Sequence, residues 1–162
     1  MAYDEQNIFA RILRGELPAI KVYEDDQVLA FMDIMPQADG HTLVIPKTPA
    51  VTLLDLPADA AAYTIQVVQK VAKAIEVGLD AQGIVLMQLS GAAAGQTVPH
   101  VHFHLIPSSV HELGKHDKWV IKTKSKHKQK KFVLLCNSIH SIKELRLLFL
   151  GLKINKINNL SV

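Results

Sequence analysis

The stretch His100-Val101-His102-Phe103-His104-Leu105-Ile106 constrains this chain more than any other. Alternation of polar ring and apolar side chain is the period of a β-strand, whose successive side chains point to opposite faces. Three imidazoles therefore share one face, while Val101, Phe103 and Leu105 share the other and read as buried against a core. Each imidazole is a polar ring that needs partners when buried. Three in a row point to chemistry, against the bland alternative of a polar strand face with histidines by chance.

Distance narrows that chemistry. Residues two apart on a strand are separated by ~6.5 Å and residues four apart by ~13 Å. Zinc–nitrogen bonds are only ~2.0–2.1 Å long, so His100 and His104 could hardly meet at one ion. A histidine pair with an outside ligand remains open. Phosphate chemistry suits the row better. A neutral imidazole is a good nucleophile at neutral pH, and its two nitrogens can take separate roles. A central nucleophile with two flanking rings needs neither a metal nor a cofactor. The preceding loop, Ser90 to Thr97 (SGAAAGQT), supports this. Glycines let backbone N–H groups turn toward an anion, and small side chains permit close approach. Gln96 and Thr97 add donors beside the row.

The rest of the chain supplies a frame for that strand. Asp4 reads as the N-cap of a short helix with Ile8, Phe9, Ile12 and Leu13 on one face, ended by Gly15 and Pro18. Strands are expected over Ile20 to Glu24, Val28 to Asp33 and His41 to Pro46, with Asp25-Asp26 and Pro36 to Gly40 as turns. A long helix is expected from about Ala58 to Val77, with Tyr63, Val67, Val68, Val71, Ala74 and Ile75 as its apolar stripe and Gly78 as its stop. Gly83 to Leu89 and His100 to Leu105 complete five strands. Consecutive strands with short turns favour an antiparallel meander and an α+β fold.

Composition sets outer bounds. A chain of 162 residues with 49% apolar content suits one compact soluble domain. No apolar run approaches the ~20 residues that span a bilayer, so no membrane association is expected. MAYDEQNIFA has neither basic flank nor apolar stretch and does not read as a signal peptide. The one cysteine, Cys136, cannot form an internal disulfide, which points to the cytoplasm. The net charge of +3 hides an asymmetry. Residues 1–116 hold seven Lys/Arg against thirteen Asp/Glu, a balance of −6, and residues 117–162 hold eleven against two, a balance of +9. The body is mildly acidic, which gives little reason to expect a nucleic-acid partner. We therefore divide the chain into a domain at 1–116 and a basic C-terminal extension at 117–162. The extension contains the run KTKSKHKQKK (122–131) and a short helix with a Ser141–Glu144 capping box.

Two ordered blocks carry a resemblance: Asp33-Ile34-Met35-Pro36 with Gly40-His41-Thr42-Leu43-Val44-Ile45-Pro46-Lys47, and Gly95-Gln96-Thr97-Val98-Pro99 running into the histidine row. Together they resemble the histidine triad (HIT) family of nucleotide hydrolases and transferases, most closely its purine nucleotide-binding, phosphoramidase branch. The match runs from about Asn7 to His116. The resemblance implies a five-stranded, mainly antiparallel sheet with one long and one short helix, joined in a homodimer as a ten-stranded sheet.

It also implies roles. His102 would attack the α-phosphate and carry a covalent nucleotidyl group. His104 would contact the phosphate and leaving group, and His100 would be the supporting histidine with His41 beside it. Asp33 would bind the ribose hydroxyls, or alternatively serve as a turn aspartate. Ile8, Phe9, Ile12, Phe31, Ile34 and Leu43 would line the apolar cleft for the base. The N–H groups of Gly95, Gln96 and Thr97 would stabilise charge on phosphoryl oxygens. Ser90 stands where many members carry an asparagine or glutamine, and it lacks their amide donor. Asn7 and Ala10 stand where zinc-carrying members have cysteines, so no structural zinc is expected. The implied reaction is cleavage of a nucleoside phosphoramidate. A dinucleoside polyphosphate hydrolase and a purine nucleotide-binding scaffold protein are the alternatives.

Overall fold

The computed structural model describes residues 2–113. The basic run, Cys136, the Ser141–Glu144 cap and the whole of 117–162 lie outside the described residues. The elements follow in the order α1 (Ile8–Leu13), β1 (Lys21–Glu24), β2 (Val28–Met32), β3 (Thr42–Pro46), α2 (Ala58–Leu79), β4 (Val85–Gln88), β5 (Phe103–Ile106) and α3 (Val110–Leu113), with a 3-10 turn at Ala92–Ala94. The strands form one five-stranded sheet, ordered β1-β2-β3-β5-β4, and every pairing is antiparallel. This is the expected α+β architecture.

Several details differ from the sequence reading. The strand expected over His100 to Leu105 begins only at Phe103, so His104 lies in β5 while His100 and His102 precede it. The strands are not a simple meander: β5 lies between β3 and β4. The apolar side chains of β5 are buried, whereas β4 is only half-buried and exposes Leu86, so β4 takes the edge. The α1 cap is Asn7, not Asp4. The Asn7 Oδ1 accepts from the N–H groups of Phe9 and Ala10, both at 3.0 Å, while Asp4 accepts from the N–H of Gln6 one turn earlier. Finally, α2 runs through Gly78 and ends at Asp80, which takes the left-handed conformation at φ 54°. Glycine is tolerated inside a helix at a cost of ~1 kcal/mol, and Leu79 beyond it packs at Gly40. The single turn α3 was not anticipated.

Strands β2 and β3 are buried along their whole length because helices cover both sheet faces. On one face α2 buries Val67, Val68, Val71, Ala74 and Ile75 against Val28, Ala30, Val44, Val101, Phe103 and Leu105. On the other, Phe9 and Ile12 of α1 pack with Leu29, Phe31, Leu43 and Ile45. Phe31 pairs with Leu43 and Leu43 with His104, so the histidine row projects from the α1 face. Among the described residues, no helix is long and apolar enough to cross a membrane.

Gly40 ties these layers together just before β3. Its φ is +87°, and a Cβ there would stand 2.1 Å from Leu79 Cδ1 and 3.3 Å from Pro107 Cγ. Gly40→Ala combines backbone strain with overpacking, and we expect a stability loss of about 2 kcal/mol by urea denaturation. A loss below about 0.5 kcal/mol, the size of an ordinary surface change, would refute this packing.

Candidate active site

The antiparallel register of β3 and β5 decides which rings meet. Thr42 pairs with Leu105 and Val44 with Phe103. The start of β3 therefore lies at the His104 end of the row, and Pro46 at the His100 end. His41 accordingly reaches His104, with 3.0 Å between its Nε2 and His104 Nδ1. This corrects the expectation that His41 stands beside His100. The His100 ring instead lies between Pro46 and the N-terminal arm. Its Nε2–H donates to the Pro46 carbonyl at 2.9 Å, and its Nδ1 accepts from the Tyr3 hydroxyl.

Partners settle where each proton sits. A carbonyl can only accept, so the Nδ1 of His102 donates to the His100 carbonyl at 2.6 Å. The neutral ring then has its lone pair on Nε2. Among the described residues no buried side-chain nitrogen or oxygen lacks a hydrogen-bond partner. His102 is only 3% exposed, and its Nε2, which has no partner among the described residues, is therefore not sealed off completely. The Gln37 N–H donates to His41 Nδ1 at 3.2 Å. A neutral His41 must then carry its proton on Nε2 and donate to His104 Nδ1, which places the His104 proton on Nε2. The ring centroids of His102 and His104 are 4.9 Å apart. One ring thus offers a lone pair and its neighbour an N–H donor.

Electrostatics keep these rings neutral. Burial pushes His100 and His104 down to about 4, and lowers His102 and His41 as well. The Asp33 carboxylate, 3.4 Å from His41 Nδ1, pulls His41 the other way, but desolvation outweighs it. A second proton on His41 would enter at Nδ1, facing Asp33.

The chain is similar to known proteins in sequence and fold. The HIT domain family model covers residues 14–111. The chain belongs to the HIT family. It is 46% identical over 101 residues to an uncharacterized HIT-like protein of Methanocaldococcus jannaschii, covering 62% of this chain and 77% of that one. It is 40% identical over 107 residues to the adenosine 5'-monophosphoramidase hnt1 of Schizosaccharomyces pombe, covering 66% and 77%. A crystal structure of a Hit-like protein from Bartonella henselae is 44% identical, with a TM-score of 0.69 over 83% of this chain and 99% of that one.

The remaining sequence candidates fall into distinct places. Phe9, Ile12, Phe31 and Leu43 are buried in one cluster. The Phe9 ring meets Phe31 and His102 edge-on, at centroid distances of 5.5 and 5.1 Å, so this cluster abuts the row. Ile34 is 86% exposed and Ile8 is also exposed, so neither is part of that cluster. Asp33 is in a turn, its Oδ1 accepting from the Met35 N–H at 2.8 Å, while its Oδ2 faces His41. The Gln96 amide is engaged in the loop, accepting from the Gly91 N–H and donating to the carbonyls of Val51 and Val98. The N–H groups of Gly95 and Gln96 donate to Ala92 and Gly91 carbonyls. A tight 3-10 turn closes on itself, so of the three expected anion donors only the Thr97 N–H is left without a partner among the described residues. Ser90 donates to Gln88 Oε1 at 3.0 Å and holds the strand end.

Two metal questions follow from the donor set. Asn7 is engaged as the α1 cap, Ala10 has no ligand atom, and both His100 nitrogens have partners. These residues do not form a zinc-ligand set. Asp33, His41 and His104 do each bring one ligand atom within 4.8 Å of the others. Among the described residues they are the group that could hold a cation, at the expense of the His41–His104 hydrogen bond. Sequence reasoning missed Tyr3 and the Gln37 N–H, because no spacing links residue 3 to residue 100 and a backbone donor has no sequence signature.

The lowered imidazole values have a stability consequence. Between about pH 6.5 and about 4, the unfolded chain binds protons that buried His100 and His104 refuse. Their contribution is full above about pH 6.5 and is lost as the pH falls toward 4. We expect the melting temperature to drop steadily from pH 6.5 to 5, before most carboxylates titrate. A flat profile in that window would mean that the rings are hydrated.

Proposed function

We propose that this protein is a nucleotide hydrolase that cleaves nucleoside phosphoramidates at the α-phosphate through a nucleotidyl group on His102. One observation carries this reading: His102 has its Nδ1 proton committed to the His100 carbonyl and its Nε2 lone pair open beside the His104 ring. Kinship with a protein named as an adenosine 5'-monophosphoramidase supports the substrate class. We assign the activity to a domain at residues 1–116.

The steps follow from the proton positions. His102 Nε2 attacks the α-phosphorus, and the bond from phosphorus to the leaving amine breaks. The amine takes a proton from solvent at the half-buried His104 end of the row. The His104 Nε2–H and the Thr97 N–H donate to phosphoryl oxygens where charge builds. Water then attacks phosphorus, the bond to Nε2 breaks, and the water's proton passes to solvent, balancing the one the amine took. Nucleoside monophosphate leaves with His102 restored. His41 holds the His104 ring, and Asp33 Oδ2 accepts from the ribose hydroxyls. The base lies along Phe9, Ile12, Phe31 and Leu43, with exposed Ile34 at the rim. A purine offers the larger face to such a slot.

We also propose a homodimer in the cytoplasm. The edge strand β4 exposes Leu86, and α2 exposes Ile65 and Val77, an apolar surface suited to joining two sheets into one of ten strands. Light scattering coupled to size exclusion should give twice the chain mass.

The decisive experiment is mass spectrometry of protein quenched during turnover of adenosine phosphoramidate. We expect a nucleotidyl adduct on His102. His102→Ala should lower turnover by at least about 10⁴-fold, as expected for loss of a covalent nucleophile, while AMP affinity stays within about threefold. Wild-type protein that binds AMP without turning over phosphoramidates or dinucleotides would instead be a binding module.

A further inference from the structure

We propose that Tyr3 is a positioning residue for the attacking histidine, acting through His100; this rests on the role proposed for His102. His100 is fully buried, so both ring nitrogens must find protein partners. The Pro46 carbonyl takes the Nε2 proton, which leaves the Nδ1 lone pair to be satisfied. Among the described residues, the Tyr3 hydroxyl is the one donor that reaches it. The two rings also meet edge to face, with centroids 5.5 Å apart.

His100 links this contact to the chemistry because it works at two points. Its side chain is clamped between the Tyr3 hydroxyl and the end of β3. Its carbonyl, on the same residue, holds the His102 Nδ1 proton. A shift of the His100 ring is transmitted to that carbonyl, and the carbonyl selects the His102 tautomer. The arm that carries Tyr3 is itself built. Asn7 donates to the Asp4 carbonyl through Nδ2 at 2.6 Å and through its backbone N–H at 3.1 Å, fixing residues 4–7 as a turn. Asn7 also caps α1, whose Phe9 meets the His102 ring. Burial raises the tyrosine titration point, so the hydroxyl stays a donor across the working range. Removing only the hydroxyl leaves a buried acceptor unpaired. The ring must then turn or admit water, and His102 Nε2 no longer presents its lone pair uniformly.

Tyr3→Phe tests this, because it keeps the ring contact. Four readouts are needed: steady-state kinetics on adenosine phosphoramidate, AMP affinity, melting temperature, and histidine tautomers by ¹⁵N NMR. We expect kcat to fall about tenfold or more, as for a misplaced reacting group. KM and AMP affinity should change less than about twofold, and the melting temperature should fall by only a few degrees. The NMR spectrum should show His102 protonated on Nδ1 alone in the wild type and a mixture in the variant. An unchanged kcat with unchanged His102 tautomer would overturn the proposal. So would a kcat that falls only in step with melting temperature while the tautomer holds, or a variant that does not fold, since the hydroxyl would then serve the fold alone. If wild-type protein forms no nucleotidyl adduct, the reading of the site fails, yet the tautomer comparison still decides the coupling of Tyr3 to His102.

Discussion

A desolvated neutral imidazole has one proton and one lone pair, and its neighbours decide which nitrogen has which. That constraint governs this protein. Four histidines converge on one sheet face, and each is lowered by burial, so none can escape the problem by becoming charged. Two carbonyls and two donors resolve it. Pro46 and His100 supply the carbonyls, while Gln37 N–H and Tyr3 supply the donors. The result is directional. His102 ends with a lone pair on Nε2 and His104 with a proton on Nε2, the rings 4.9 Å apart, which is the complementary pair that the proposed displacement at phosphorus needs.

The fold supplies that order through strand pairing. Because β5 runs antiparallel to β3, the start of β3 brings His41 to one end of the row and its last residue, Pro46, brings a carbonyl to the other. A one-residue slip would turn the histidines into the α2 core and Phe103 toward the α1 face. Val101, Phe103 and Leu105 oppose such a slip, since each is nearly completely buried against α2. The same packing energy that stabilises the sheet therefore aims the rings. The apolar cluster of α1 packs on the same face, and Phe9 touches both core and histidines.

Much of the frame was legible because its signals are periodic. Alternation in residues 100–106 and the apolar stripe of α2 are local patterns that few alternatives satisfy. Element ends were less legible, and each miss has a cause. Gly78 suggested a stop that Leu79 packing overrides, and Asp4 suggested a cap that Asn7 takes because its side chain reaches two amides. Strand order was illegible from turn lengths, because the crossover through α2 frees β4 and β5 to exchange places and burial decides between them. In the site, His100, His102 and His104 were visible as a row, and Asp33 and His41 as parts of a motif. Their partners were not. The loop 90–97 looked like a set of free donors, whereas its 3-10 turn consumes the N–H groups of Gly95 and Gln96 internally.

By itself, then, the sequence determined that three imidazoles share one face of the segment 100–104, though only His104 lies in β5, that apolar residues back them, and that a small-residue loop precedes them. These facts follow from side-chain alternation and from residue size, which need no coordinates. Only the tertiary structure decided that His41 serves His104, that Tyr3 and Pro46 hold His100, and that His102 keeps its lone pair on Nε2. The contacts of His41 and His100 join residues 54 to 97 positions apart. They depend on hydrogen-bond direction, which exists only once strand register has placed donor against acceptor.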